Sequence, residues 1–124
     1  MPLYWLLLTA VLTTPPAPQS APAPDPGERA FQRCAACHSM RANDHDNPGP
    51  SLRGVLGRRA GGASGFAYSD ALKAAGRRGM VWDERTLERY LADPVAVVPG
   101  TDMPYQGGSA AERAAVIAWL RRQR

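Results

Sequence analysis

An all-α domain is what this 124-residue chain predicts, on three observations. Recognisable helix caps recur along it, and apolar residues fall at spacings of three and four. No stretch alternates apolar and polar residues as a half-buried strand would. Three main helices and one short one are expected, wrapped with long loops.

The first helix starts where Asp25 can cap, Pro26 takes the first helical position and Glu28 reaches back as in a capping box. It is expected to run to about Cys37. A short helix follows the Ser69 cap over Asp70–Ala75 and is stopped by Gly76. The third starts at Asp83 and puts Leu87, Tyr90 and Leu91 on one face. It ends at Asp93-Pro94, because a residue before proline avoids the helical region. Ser109, with Glu112 three residues on, caps the last helix, which is expected to bury Val116, Trp119 and Leu120. The intervening loops, Ser39 to Tyr68 and Pro94 to Gly108, are too long and too poor in apolar residues to organise themselves.

Ahead of the domain, Leu3 to Leu12 is an apolar run, followed by a Pro- and Ala-rich stretch over Pro15 to Pro26. The run suits a signal-peptide h-region and falls short of the roughly 18–20 apolar residues of a membrane span. No Lys or Arg precedes it, and prolines crowd the small residues around Ser20 and Ala21 where cleavage would fall. Retention as an anchor on a stiff tether therefore stands beside cleavage. Residues 1–24 are read as signal peptide or N-terminal anchor with a linker, and residues 25–124 as one exported, periplasmic domain.

The net charge is +4, and every basic residue except Lys73 is Arg. The arginines come as doublets (Arg58-Arg59, Arg77-Arg78, Arg121-Arg122) rather than one stripe with interleaved aromatics. That argues against a nucleic-acid binder and for a mild excess that steers docking to a protein partner.

What organises the loops is read from Cys34-Ala35-Ala36-Cys37-His38, the C-x-x-C-H signature of covalent haem attachment. Thiols three residues apart on one turn can both reach a haem edge and form thioethers with its vinyl groups, and the next residue then aims an imidazole at the iron. A thioredoxin-like pair would sit in a βαβ setting, which is absent. A zinc site would need four ligands, and His38 directly after Cys37 is awkward for a tetrahedron. A chance pair in a buried helix is the plain alternative. For the opposite axial position the candidates are His45, Met40, Met80 and Met103. Met40 is too near His38 to cross the haem, Met80 beside Trp82 reads as core, and His45 among Asn43, Asp44, Asp46 and Asn47 reads as solvated loop. Met103 lies in Pro99-Gly100-Thr101-Asp102-Met103-Pro104, whose prolines and glycine fix its path. A methionine is most often gap-filling core, but this polar loop favours a ligand. A His38/Met103 pair would raise the reduction potential and leave no open position for bond chemistry.

These residues, with Gly49-Pro50-Ser51-Leu52-Arg53-Gly54, Gly65 to Ala71, Trp82 to Leu91 and Pro99 to Met103, resemble class I cytochrome c of the mitochondrial type and its soluble bacterial relatives. The resemblance covers about Gly27 to Arg121. It implies the small cytochrome c fold around one covalent haem c, in a monomer that is not an enzyme. It further implies that the Pro50 carbonyl meets the free ring nitrogen of His38, and that Tyr68 and Trp82 hold a haem propionate whose charge Arg58 offsets. Thr101 contacts the propionate region, Tyr90 reaches the sulfur of Met103, and Gly27 and Phe31 meet Trp119 and Leu120.

The implied function is to carry one electron at a time between respiratory or photosynthetic partners: a quinol-oxidising complex, a terminal oxidase or a reaction centre. Two alternatives are a dedicated acceptor or subunit of a periplasmic dehydrogenase, and a haem peroxidase working after Met103 leaves, with Gly107-Gly108 as the hinge. The chain departs from the family at Tyr105, where Phe is usual, at Leu72, where a polar residue is common, and at Arg77-Arg78, a short insertion. Val95, Ala96 and Asp102 occupy segments where the mitochondrial members cluster lysines, leaving Arg33 beside Cys34. Turnover with a redox partner is therefore expected to fall only gently as ionic strength rises. A steep loss between low and high salt would contradict this.

Overall fold

The computed structural model describes Met1 and residues 12–105 and 108–124. The apolar run over 3–12 lies, except for Leu12, outside the described residues, as does Gly107 of the hinge. Residues 12–24 are exposed and carry no secondary structure. Among the described residues, no helix is long and apolar enough to cross a membrane.

Five helices follow: α1 (Pro26–Phe31), α2 (Asp70–Arg77), α3 (Glu84–Ala92), α4 (Pro94–Val97) and α5 (Ala110–Arg121). The caps are those the side chains dictate. Asp25 accepts the N–H groups of Gly27 and Glu28, Ser69 that of Leu72, and Asp83 that of Thr86. At α5 the capping box is complete, with Ser109 and Glu112 each accepting the other's backbone N–H.

Three boundaries differ from expectation. The first helix stops at Phe31, and residues 32–37 continue as tight turns rather than α-helix. The second helix passes through Gly76 to Arg77. Gly76 is buried against Ala60, and a Cβ there would overlap the Ala60 carbonyl oxygen. That glycine therefore serves close approach, while Gly79, at φ +92°, makes the turn after the helix. Asp93-Pro94 does end α3, but it also starts α4: Pro94 occupies the first turn and Asp93 accepts from Ala96 N–H at 3.1 Å.

α1 crosses α5, α3 packs on α5, and α4 folds back on α3. Phe31, Trp82, Leu87, Tyr90, Leu91, Val98, Val116, Ile117 and Leu120 form the core. Ile117 is buried where Trp119 was expected; Trp119 is only half-buried and lies on Phe31, ring centroids 4.9 Å apart. Arg122 adds an ion pair to the α1 cap, 2.7 Å from Asp25. The nearest approach to a sheet among the described residues is one isolated bridge, Arg59 to Val81. It ties the first long loop to the chain entering α3.

The crossing depends on Gly27, where a Cβ would strike the Ala115 carbonyl and the Cβ of Trp119. In an exposed helix, Gly→Ala stabilises by up to about 1 kcal/mol. Here Gly27→Ala is expected to reverse that sign and destabilise by about 1–3 kcal/mol through overpacking, read as a lowered midpoint in chemical denaturation. An unchanged or raised midpoint would show that the helices separate freely.

Candidate functional site

Beyond Phe31 the chain keeps winding in mixed turns. Cys34 N–H donates to the Phe31 carbonyl (2.7 Å), and the N–H groups of Cys37 and His38 donate to the Cys34 carbonyl (3.0 and 2.9 Å). Turns this tight set the two cysteines and the histidine out from one short stretch of backbone. Both thiols are half-buried and neither is in a disulfide. Burial pushes the Cys34 thiol up, with Arg33 opposing. No group of three or more His, Cys, Asp and Glu that could hold a metal ion gathers among the described residues.

The His38 ring is held from behind. Its Nδ1 lies 2.7 Å from the Pro50 carbonyl. A carbonyl can only accept, so Nδ1 carries the hydrogen and Nε2 keeps its lone pair for an electrophile. Burial lowers the His38 pKa, against the pull of the Pro50 carbonyl, and favours the neutral ring that a metal needs. Gly49 completes this arrangement. A Cβ there would stand on the imidazole, 2.6 Å from Nδ1, so only glycine lets the Pro50 segment close on His38. A Gly-Pro pair eleven and twelve residues after the histidine is the available signal.

That segment is braced in turn by groups with other expected roles. The Arg58 guanidinium donates to the carbonyls of Ser51 (2.8 Å) and Arg53 (2.6 Å), so the structure places it on backbone. His45 is not a solvated loop residue. It is half-buried, its Nδ1 accepts the Ser51 N–H at 3.3 Å, and its ring edge rests on Gly65. Its polar neighbours in sequence concealed this, because Ser51 and Gly65 reach it only through the fold.

The second loop carries Met103, which is half-buried against the core. Thr101 anchors it: the Tyr90 hydroxyl and Thr101 Oγ1 are 2.6 Å apart, and Oγ1 accepts the Met103 N–H at 3.4 Å. The Tyr90 hydroxyl thus meets Thr101 rather than the methionine sulfur. Trp82 is buried beneath, its ring centroid 4.8 Å from that of Tyr90. Tyr68 accepts the Ala63 N–H at 3.1 Å and packs edge-on to Phe66, holding its own loop closed.

Does this set fit a haem? Met40, Leu52, Leu56, Leu72, Met80, Val97 and Met103 are all apolar, and all remain only partly buried against the core. They come from the two long loops, α2, the approach to α3, and α4. Half-exposed apolar side chains, two thiols and an imidazole with a free Nε2 suit one large, flat, apolar metal-bearing group.

Comparison with known proteins agrees. Residues 24–124 match the family model for cytochrome c. The chain is 45% identical over 98 residues to cytochrome c2 of Rhodoblastus acidophilus, covering 78% of this chain and 89% of that one. Cytochrome cH from Methylobacterium extorquens superposes with a TM-score of 0.68 at 44% identity, over 77% of this chain and 94% of its own. Cytochrome c2 from Rhodospirillum centenum gives 0.75 at 34% identity, over 81% and 98%.

Burial raises the pKa of the Tyr90 phenol, with the Thr101 hydrogen bond working the other way. Folding therefore favours the protonated phenol, and its contribution is fully present below the ordinary value of about 10 and lost as pH rises beyond it. Tyr90→Phe is expected to cost about 1–3 kcal/mol at neutral pH by stranding Thr101. It is also expected to flatten the loss of stability above pH ~10. Denaturation midpoints across that range check both, and a parallel fall in variant and parent would refute the second.

Proposed function

The chain belongs to the cytochrome c family and carries single electrons on one covalently held haem c, and from that premise we propose that His38 and Met103 would hold its iron. Cys34 and Cys37 supply the thioether sulfurs. The observation that carries the reading is the His38–Pro50 contact, which leaves Nε2 unprotonated and aims the ring from a rigid seat.

When bound, the haem supplies an iron that cycles between two oxidation states. The protein's part is to set the ease of that change and to keep other chemistry away. A thioether from Met103 would favour the reduced iron and, with the neutral His38 imidazole, would give a high potential. With both residues bound, no coordination position would be open to oxygen or peroxide. Tyr90 and Thr101 fix the start of the methionine loop and would so restrain Met103 as it holds the group. By the family resemblance, Tyr68, Trp82, Arg58 and Thr101 would help hold the haem propionates, beside the protein contacts they already make.

The partners are redox proteins, with a quinol-oxidising complex as donor and a terminal oxidase or reaction centre as acceptor, in the periplasm. The N-terminal apolar run and its Pro/Ala-rich sequel support export. A dedicated dehydrogenase partner is the second reading, supported by Val95, which is 60% exposed on α4.

The test is spectroscopic. Protein matured with haem is expected to show the reduced α-band of a thioether-linked haem and, when oxidised, a weak far-red band of sulfur ligation. Met103→Ala is expected to abolish the far-red band and lower the potential by roughly 0.1 V or more, within the ~0.8 V that axial ligands span. A far-red band that survives this substitution would rule Met103 out.

A further inference from the structure

The loop bearing Met103 is held at both ends, and the far end is held by charge. Arg113, on the first turn of α5, has a side chain only 16% exposed. Its Nε lies 2.8 Å from Glu88 on α3, and its Nη1 donates to the Gly108 carbonyl at 2.6 Å. Met103, Pro104, Tyr105, Gly108 and Arg113 line one groove. The Gly108 turn is also crowded, since a Cβ there would come within 2.6 Å of Glu112 and 3.3 Å of the Tyr105 hydroxyl.

We infer that Arg113 is a positioning residue: aimed by Glu88, its guanidinium clamps the Gly108 carbonyl and restrains the Met103 loop from swinging open. A planar fork with fixed donors can meet a carboxylate and a carbonyl at once, which a lysine ammonium does with less definition. Loops that release a ligand open locally, with an equilibrium set by the few contacts that close them. Arg113 makes such a contact from a helix that itself stays packed. The molecule also supplies its own control. Arg121 bridges α5 to α3 in the same way, 2.9 Å from Glu84, but its side chain is 58% exposed and Glu84 lies on α3, away from the loop.

The inference rests on Met103 being the iron ligand, and the experiment separates the two claims. In the oxidised holoprotein, excess imidazole displaces the sulfur, and the far-red band decays at the rate of loop opening. Arg113→Met is expected to keep the band but speed its loss about tenfold, the scale of one hydrogen bond to a charged group. Arg121→Met is expected to stay within about twofold of the parent, as exposed pairs contribute little. Glu88→Gln, which keeps an acceptor but drops the charge, is expected to speed the loss about two- to threefold, and covers the case in which Arg113→Met does not fold. Equal rates for the Arg113 and Arg121 variants would overturn the latch alone, as would an unchanged rate in Glu88→Gln. A parent with no far-red band would remove the ligand reading and the latch with it.

Discussion

His38 Nδ1 and the Pro50 carbonyl stand 2.7 Å apart, and the rest of the site is arranged so that this contact holds. It decides which ring nitrogen carries the hydrogen and which keeps its lone pair, and it fixes the plane of the ring. Gly49 gives the chain room to pass the imidazole, and Arg58 and His45 brace the residues just beyond Pro50. Ser51, almost fully buried, ties the same segment to the Arg41 carbonyl at 2.6 Å. A loop with little apolar content is thus made rigid by hydrogen bonds to backbone, each of them sheltered enough to count.

The second loop is built on the same principle from the opposite side. Thr101 and Tyr90 fix its start, and the complete capping box of α5 fixes the chain where it re-enters helix. Glu112 does two jobs there, accepting the Ser109 N–H at 2.9 Å and pairing with Arg33 at 3.2 Å. Arg33 precedes Cys34, so the cysteine turn and the end of the methionine loop share one carboxylate. The helices supply a small, firm frame, with α1 on α5 at its centre, and the loops are strung on it by polar contacts.

The arginine-rich composition looks different once these pairs are seen. Arg33, Arg113, Arg121 and Arg122 each face a carboxylate within 3.2 Å. Arg58 serves two carbonyls. These arginines therefore brace one segment against another, each beside its own carboxylate, and exposed Val95 on α4 lines the same groove as Met103. Fewer free charges at that rim mean weaker long-range steering and more reliance on close apolar fit.

Local chemistry settled much of this in advance. The caps at Asp25, Ser69, Asp83 and Ser109 act on N–H groups two or three residues away, so sequence alone located four helix starts. The C-x-x-C-H spacing is equally local, since one turn of backbone brings its three side chains together. Family resemblance carried the Pro50 contact, which geometry alone could not have supplied. What sequence missed has one common cause. Gly76 reads as a stop until Ala60 is against it, and His45 reads as solvated until Ser51 and Gly65 reach it. Arg113 carries no local signal of its role, which appears only when Glu88 and Gly108 converge on it, and Tyr90 finds Thr101 rather than the sulfur. In each case the deciding partner comes from another segment of the folded chain. Backbone propensity and capping act within a few residues, whereas burial and pairing of polar groups are fixed only when the tertiary fold brings those segments together.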